Sequence, residues 1–309
     1  MNNQQIINWL LEGDVSIQYQ VWRDLLGSDK KELQIRIANE GWGNSILSKR
    51  NSDGQWGDRF YQPKWISTHY TLLDLRNLNI PSNNEIVQET IELILQNNMA
   101  DDGGIQLGPS TSQHSDVCVN GMFLNYASYF KTPEKKLHSI IDSILIEIMP
   151  DGGFNCRTTR SGAKHSSLHS TISVLEGFFE FIKAGHTYRK EEIISSQKSS
   201  IEFILLHQLF LSDRTSQIIN KNFLKLTYPC RWKYDILRAM DFFQYAEIEW
   251  DNRMKAAIAV LKTKQNNEGS WNMPAAHPGQ VHLVMETAGK PSRWNTLRVL
   301  RVLKHFEIA

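Results

Sequence analysis

A short turn motif recurs along this chain and constrains its fold more than any other feature of the sequence. Each copy joins an acidic residue to glycine and has an aromatic or aliphatic side chain two residues after that glycine. The four copies occupy residues 53–57, 102–105, 151–154 and 268–271. Gly54, Gly103 and Gly152 are spaced 49 residues apart, and Gly269 follows 117 residues later. A fixed period of this length indicates a repeated supersecondary unit. The longer interval predicts two larger units, whose missing turn falls in residues 211–227.

Between the turns, apolar residues recur at intervals of three and four, which is the pattern of amphipathic helices. The more highly charged segments, which we expect on the outside, are residues 29–40, 83–98, 133–149, 190–210 and 250–264. The segments richer in aromatic and small residues, which we expect on the inside, are residues 15–26, 65–78, 115–130, 167–182, 230–245 and 292–306. The sequence therefore predicts an all-α fold of about six helix pairs, arranged as a closed or nearly closed ring in one domain, 1–309.

The predicted inner helices carry two aligned layers of side chains. The upper layer, seven residues before the lower one, consists of Ile17, Ser67, Cys118, His169, Tyr234 and Trp294. The lower layer consists of Asp24, Asp74, Asn125, Glu176, Asp241 and Arg301. A polar face on helices suited to burial indicates a lined cavity, because buried polar groups need partners or water. The alternative is structural pairing, and a closed ring would bring Arg301 beside Asp24.

The overall charge excludes one class of partner. Lys and Arg number 34 against 33 for Asp and Glu, so a net charge of +1 provides no field that would attract nucleic acid. No run of about 18 apolar residues is present, which predicts that no segment spans a membrane. The amino terminus lacks the basic residues of a secretory signal, so we expect a cytoplasmic protein. Three widely spaced cysteines predict reduced thiols rather than a disulfide framework.

The turns between helix pairs, at about this period, resemble the prenyltransferase and squalene-cyclase repeat of the terpenoid cyclase and protein prenyltransferase superfamily. The resemblance covers nearly the whole chain, and residues 53–57 and 268–271 look like the glutamine-tryptophan turns of that repeat. It implies an α/α toroid whose inner helices surround an apolar funnel for an isoprenoid-like small molecule. We expect that cavity to be entered at the end that carries the amino termini of the inner helices.

The same resemblance implies a zinc site. Protein prenyltransferases bind Zn²⁺ through an Asp-x-Cys pair and a His on the next inner helix, and Asp116, Cys118 and His169 match those positions. These three residues would be the metal ligands and the catalytic residues, with His114, His165 or water as the fourth ligand. The alternative is that Cys118 is a small buried residue and His169 a core histidine. If the chain is an enzyme, which the sequence leaves open, the resemblance implies a zinc-dependent transferase.

Two departures from the family pattern narrow the activities that the resemblance implies. Val119 stands where protein prenyltransferases have an aromatic residue after the zinc cysteine, which puts peptide prenylation in doubt. The acidic Asp-x-Asp-Asp and Asp-Asp-x-x-Asp motifs of terpene cyclases and synthases are missing from the chain. The resemblance therefore predicts a fold more strongly than it predicts an activity.

The cavity should also contain residues that bind substrate. We expect this role for Arg157, Arg231, Tyr234, Arg238, Trp294, Glu176 and Asp74. Arginines near the amino termini of inner helices suit an anionic group such as a diphosphate, and aromatic rings suit an apolar body. The alternative is that the cations are solvated and the rings are plain core.

Two other classes of function remain open at this point. A carbohydrate enzyme would use paired carboxylates with aromatic platforms, and its acids would be Asp74, Glu176 and Asp241. A non-catalytic ligand-binding or scaffolding toroid would be favoured if side chains filled the cavity.

Overall fold

The computed structural model describes residues 3–108 and 114–308, which are mainly helical. In chain order, the α-helices of these ranges are α1 (Asn3–Leu11), α2 (Val15–Gln20), α3 (Lys31–Ile37), α4 (Gly41–Leu47), α5 (Thr68–Asn77), α6 (Glu85–Asn97), α7 (Val117–Tyr129), α8 (His138–Ile146), α9 (Thr158–Ser161), α10 (Leu168–Lys183), α11 (Lys190–Leu206), α12 (Ile236–Tyr245), α13 (Lys255–Thr263) and α14 (Arg293–His305). A π-helical turn, Val21–Leu25, extends α2. Short 3₁₀ segments lie at Lys64–Ile66, Glu134–Leu137, Lys221–Leu224 and Asn252–Met254.

The strand content is small, and the predicted all-α fold class is confirmed. Strands β1 (Trp271–Asn272) and β2 (Pro291–Ser292) pair antiparallel, with Trp271 opposite Ser292. Helices α3, α6, α8, α11 and α13 fall within the five charged segments of the sequence. None of the helices in the described ranges is long and apolar enough to cross a membrane.

Six helices, α2, α5, α7, α10, α12 and α14, form the predicted inner ring. Polar contacts join each neighbouring pair: Gln20 Nε2 to the Asn77 carbonyl (3.0 Å), His69 Nδ1 to the Tyr126 hydroxyl (3.2 Å), Asn125 Nδ2 to the Glu176 carbonyl (3.2 Å), Arg238 Nη2 to Glu176 (2.7 Å), Arg298 Nε to Asp241 (3.0 Å) and Arg301 Nη1 to Asp24 (3.0 Å). The last contact brings the final helix back to the first unit. The ring is closed, and the fold is an α/α toroid.

The four glycine turns have the same construction. Gly54, Gly103, Gly152 and Gly269 all adopt positive φ angles between +83° and +91°, which a residue without a Cβ adopts at little cost. Two residues later, a buried backbone N–H donates to a side chain in the first turns of the next inner helix: Trp56 to Thr68, Ile105 to Asn120, Phe154 to Thr171 and Trp271 to Thr296. The turn thus fixes where each inner helix begins.

The approach to α12 differs from the sequence prediction. Residues 230–235 are not helical, and α12 begins at Ile236 after an amino-terminal cap in which Asp235 accepts from the Arg238 amide at 2.8 Å. Arg231 lies in the left-handed region, with φ of +56°, which is incompatible with a continuous α-helix. The prediction that residues 230–235 belong to the inner helix is therefore wrong, although Arg231 and Arg238 both line the pocket at the centre of the ring.

Candidate functional site

A pocket of about 110 Å³ lies at the centre of the ring. A buried water needs about 10–15 Å³ of such volume, so the pocket holds roughly seven to eleven waters, close to the number of non-hydrogen atoms in one pyranose sugar. Six arginines line it: Arg23, Arg76, Arg231, Arg238, Arg298 and Arg301. Glu176, Asp241 and several amide side chains complete the polar lining, and Tyr228 and Trp294 supply aromatic rings. This lining suits a polar, anionic ligand.

Two of the lower-layer carboxylates are held by arginines of neighbouring helices. Glu176 accepts from Nε and Nη2 of Arg238 at 2.9 and 2.7 Å, a bidentate pair. Asp241 accepts from Arg298 Nε at 3.0 Å and from Arg301 Nη2 at 2.6 Å. Burial by itself raises the pKa of Asp241, but the charges of Arg301 and Arg298 outweigh it and lower the pKa. Asp241 is therefore an ionised anchor that orients two arginines.

Arg301 also forms the ion pair with Asp24 that was expected from closure of the ring. Its Nη1 donates to Asp24 at 3.0 Å and to the side-chain oxygen of Gln20 at 3.1 Å. Part of the polar lower layer is thus structural, as the alternative reading of the sequence predicted.

Two guanidinium nitrogens, on arginines that line the pocket, have no acceptor among the described residues. They are Arg298 Nη1 and Arg76 Nε, both shielded from solvent. Arg298 is only 4% exposed, and Arg76 pairs through its Nη2 with Glu180 at 2.5 Å. Buried donors of this kind are costly unless a partner is present. A bound anion would supply that partner.

Asp74 differs from the other carboxylates of its layer. Its side chain is 6% exposed, and its ion pair with Arg231 is a loose one, with Oδ2 lying 3.5 Å from Arg231 Nη2. Oδ1 has no hydrogen-bond partner in the part of the chain that the structure describes. Burial raises the pKa of Asp74 to about 6, and Arg231 offsets only part of that effect. The Asp74 carboxyl group can therefore hold a proton in weakly acidic solution.

A second cavity, of about 80 Å³, lies next to the first. The loop that closes it, residues 273–290, connects β1 to β2, and we call it the cover loop. Three contacts fix this loop to the ring: the Pro278 carbonyl to Trp65 Nε1 (2.7 Å), His282 Nε2 to Thr71 Oγ1 (2.8 Å) and Glu286 Oε1 to the Arg293 amide (2.7 Å). Tyr228 and Arg231 line both cavities.

The exposed fraction of the lining side chains shows which way the central pocket faces. Trp294 and Arg231, near the amino-terminal end of the ring, are 1% and 6% exposed. The side chain of Arg23, near the carboxyl-terminal ends of the inner helices, is 29% exposed. The cover loop lies over the amino-terminal ends of α5 and α14. The more exposed lining thus lies at the carboxyl-terminal end, opposite the end where the entrance was expected.

The expected zinc ligands have other partners. Cys118 forms a disulfide with Cys156, with the two Cα atoms 6.1 Å apart. His169 Nδ1 accepts from the Tyr234 amide at 2.8 Å, and Asp116 is the amino-terminal cap residue of α7. Within residues 3–108 and 114–308, no group of three His, Cys, Asp or Glu side chains could hold a metal ion. These contacts conflict with the zinc expectation.

The disulfide also corrects the prediction of reduced thiols for Cys118 and Cys156. Cys230 is the free cysteine, and burial raises the pKa of its thiol to about 12. Burial similarly lowers the pKa of His169 to about 4, with smaller contributions from Arg238 and Lys233. His169 is thus a neutral, hydrogen-bonded histidine against aromatic neighbours, as the alternative reading held.

The structure brings together most of the residues expected to bind substrate. Arg231, Arg238, Glu176 and Trp294 line the central pocket, and Asp74 lines the adjoining cavity. Arg157 instead lies exposed at the start of the short helix α9 and lines neither cavity. Tyr234 is core, because its hydroxyl donates to the Leu209 carbonyl at 2.6 Å.

Arg23, Arg76 and Tyr228 are among the pocket residues that sequence reasoning missed. Arg23 and Arg76 adjoin the polar layer of their helices, so a search that included neighbouring positions would have found them. Tyr228 lies in a non-helical segment that carries no periodic signal. It stacks on Trp294, with ring centroids 4.6 Å apart.

No protein-family model matches this chain, and no curated protein matches it either. Among solved structures, a polysaccharide lyase aligns with a TM-score of 0.55 at 13% identity, covering 99% of this chain and 97% of the lyase. A glycosyl hydrolase family 88 protein from Bacteroides vulgatus aligns with a TM-score of 0.49 at 14% identity, covering 98% of this chain and 97% of that protein.

The likeness to the polysaccharide lyase corrects the family suggested by the turn motifs. The aligned structure is that of a polysaccharide lyase rather than of a terpenoid cyclase or prenyltransferase. The central pocket agrees with the correction, because arginines and carboxylates occupy the place where an apolar funnel for an isoprenoid was expected. What the likeness to the polysaccharide lyase establishes for this chain is its fold, the α/α toroid.

Proposed function

We propose that the protein is a carbohydrate-active hydrolase that binds an acidic sugar in the central pocket and cleaves its glycosidic bond. The observation that carries this proposal is the pair of buried, unpartnered guanidinium nitrogens, on Arg298 and Arg76, in a pocket of monosaccharide size. A sugar carboxylate would accept from such donors, since arginine matches carboxylate geometry. The toroid shared with a polysaccharide lyase supports the proposal as an analogy of fold.

The neutral part of a sugar also finds suitable partners. Carboxylate and amide side chains, among them Glu176 and Asn125, offer acceptors and donors to ring hydroxyls. Tyr228 and Trp294 stack on each other and add apolar surface to the lining. This mixture of charge, hydrogen bonding and aromatic surface is typical of a saccharide site.

Asp74 is the proposed general acid. A general acid must be protonated at the start of the reaction, and the raised pKa of about 6 makes Asp74 the suitable carboxyl group. In the reaction, the Asp74 proton passes to the bridging oxygen as the bond from that oxygen to the sugar carbon breaks. We therefore expect the rate to fall as pH rises above about 6.

Glu176 is the proposed general base. Its side chain is 20% exposed, which leaves room for a water, and each carboxylate oxygen retains a lone pair beyond its bond to Arg238. The water oxygen forms the new bond to the sugar carbon, and one water proton passes to Glu176. The products are the free sugar and the protonated leaving group, and the two carboxyl groups then exchange protons with solvent.

Chromogenic glycosides that differ in charge test the proposal. The substrates are both anomers of 4-nitrophenyl glucuronide and galacturonide. We expect at least one of them to be hydrolysed, while the matching neutral glucosides and galactosides are poor substrates. Arg298→Gln should reduce kcat/KM for the acidic substrate by about 10- to 200-fold, as the loss of one charged hydrogen bond implies.

Three outcomes would overturn the proposal. Equal rates on acidic and neutral sugars would remove the role of the arginines. A product with a conjugated double bond, visible by ultraviolet absorption, would indicate elimination instead of hydrolysis. Tight binding of acidic sugars without turnover would indicate a binding module.

A further inference from the structure

The two cavities adjoin but differ in chemistry. The central pocket is lined mainly by charged and amide side chains, whereas eleven of the fifteen residues around the cavity beneath the cover loop are apolar or aromatic. Met273, Val281 and Met285 are examples from the cover loop itself. Tyr228 and Arg231 line both cavities, so these two side chains lie where the cavities adjoin.

Asp74 lies at this junction. It lines the apolar cavity, and its Oδ2 is 3.5 Å from Arg231, which reaches into the central pocket. The other oxygen, Oδ1, is buried without a partner among the described residues. A buried carboxyl oxygen of this kind needs a hydrogen-bonding group from a ligand. The bridging oxygen of a glycoside spanning the two cavities would meet that need.

We infer that the substrate is an acidic sugar joined to an apolar aglycone, with the sugar in the central pocket and the aglycone beneath the cover loop. This inference rests on the proposed function and specifies its substrate class. The apolar cavity, of about 80 Å³, has room for roughly five to eight waters, which corresponds to one aromatic ring or a short acyl chain. Burial of such a group away from water is favourable.

The chemical step follows from this placement. Asp74 gives its proton to the bridging oxygen, the bond from that oxygen to the sugar carbon breaks, and water supplies the hydroxyl that the sugar gains. The aglycone therefore leaves as a neutral alcohol or phenol. It remains beneath the cover loop until it dissociates, so the free phenol should bind there as a product.

The experiment measures binding of 4-nitrophenol alone, by calorimetry below the pKa of Asp74, with the wild type and two matched variants. Ala276 lines the apolar cavity and its neighbour Ala275 does not, and both residues are exposed. Ala276→Trp should fill the cavity and weaken binding by about tenfold or more, while Ala275→Trp should leave it within about twofold. No binding by the wild type, or equal binding by the two variants, would overturn the inference.

Failure of the proposed function would look different. The methyl glycoside of the best acidic sugar carries no apolar aglycone, so its hydrolysis depends on the central pocket alone. If the wild type and Ala276→Trp hydrolyse it equally and the wild type binds no 4-nitrophenol, the hydrolase proposal stands and the aglycone inference falls. If 4-nitrophenol binds as expected but no acidic glycoside is cleaved, the apolar site exists and the hydrolase proposal falls.

Discussion

Single buried charges set the properties of this site. Asp74 and Asp241 occupy equivalent positions on two inner helices, yet the pKa of Asp74 is raised and that of Asp241 is lowered. The difference comes from their partners, because Asp241 accepts from two arginines at 2.6–3.0 Å whereas Asp74 has one arginine at 3.5 Å. Carboxyl groups whose environments separate their pKa values in this way are suited to different roles.

Replacing Asp74 should change how stability depends on pH. Folding raises its pKa from 3.8 to about 6, so the native state takes up a proton that the unfolded chain releases in this range. The contribution of this group to the free energy of unfolding is fully present below about pH 4 and is lost as pH rises through about 6. A shift of this size corresponds to on the order of 3 kcal/mol.

Asp74→Asn cannot titrate, so that pH dependence should disappear in the variant. Between pH about 4.5 and about 7.5, we expect the wild type to lose stability relative to Asp74→Asn by on the order of 2 to 3 kcal/mol. Urea unfolding of both proteins at the two pH values measures the change. A constant difference between them would contradict the raised pKa.

The number of cysteine thiols that react with a thiol reagent should follow a definite pattern. The chain has three, of which Cys118 and Cys156 are joined and Cys230 is buried with a pKa of about 12. Because the thiolate is the reactive form, the native protein should show almost no reaction with a thiol reagent at neutral pH. The unfolded chain should show one thiol without reductant and three with it. Three thiols in the unfolded, unreduced chain would show that the disulfide is absent.

Much of the residue-level site follows from the sequence, and the failures have a common cause. The polar layer and the pairing of Arg301 with Asp24 were predicted, since both depend on helical periodicity. The partner of Cys118 was not, because Cys156 lies 38 residues away, in a turn whose path no periodic pattern describes. Tyr228 was missed for the same reason.

At the scale of elements, the glycine turns and the first turns of the inner helices act together. In the third copy, Thr171 Oγ1 accepts from the buried Phe154 amide at 3.0 Å. This hydroxyl explains why polar residues occupy the buried start of a helix. The sequence predicted the helices and the turns but not the bond between them, which depends on how the chain returns after each loop.

Thr171→Val should therefore destabilise the fold by about 1–3 kcal/mol, because the change leaves the Phe154 N–H buried and unpaired. Thr263→Val serves as a control of identical chemistry at an exposed position, and it should stay within about 0.5 kcal/mol of the wild type. Chemical denaturation of the three proteins measures both values. Equal losses for the two variants would mean that the turn bond has no special role.

At the scale of the whole molecule, the ring closes through one arginine. Arg301 links Asp24 of the first unit to Asp241 of the preceding helix, and its side chain is 14% exposed. Arg301→Ala leaves two carboxylates with fewer partners and should cost about 3–5 kcal/mol. The exposed pair of Arg36 with Glu40 offers a control, since Arg36→Ala should leave the stability nearly unchanged.

Thermal and urea unfolding would measure both arginine variants. A loss for Arg301→Ala no larger than that for Arg36→Ala would mean that other contacts close the ring. The turns predicted this ring correctly because they report how helix pairs stack. They suggested the wrong family for a related reason, since turns outside the cavity do not determine which side chains line it.

Crystallisation of the protein with glucuronic acid tests the central claim most directly, because it locates an acidic sugar without requiring turnover. We predict density for one sugar in the central pocket, with a carboxylate oxygen about 2.7–3.1 Å from Arg298 Nη1. The Arg298→Gln protein, treated in the same way, should leave the pocket without the sugar. A wild-type pocket without sugar at saturating concentration, or a sugar bound with its carboxylate away from Arg298 and Arg76, would contradict the claim.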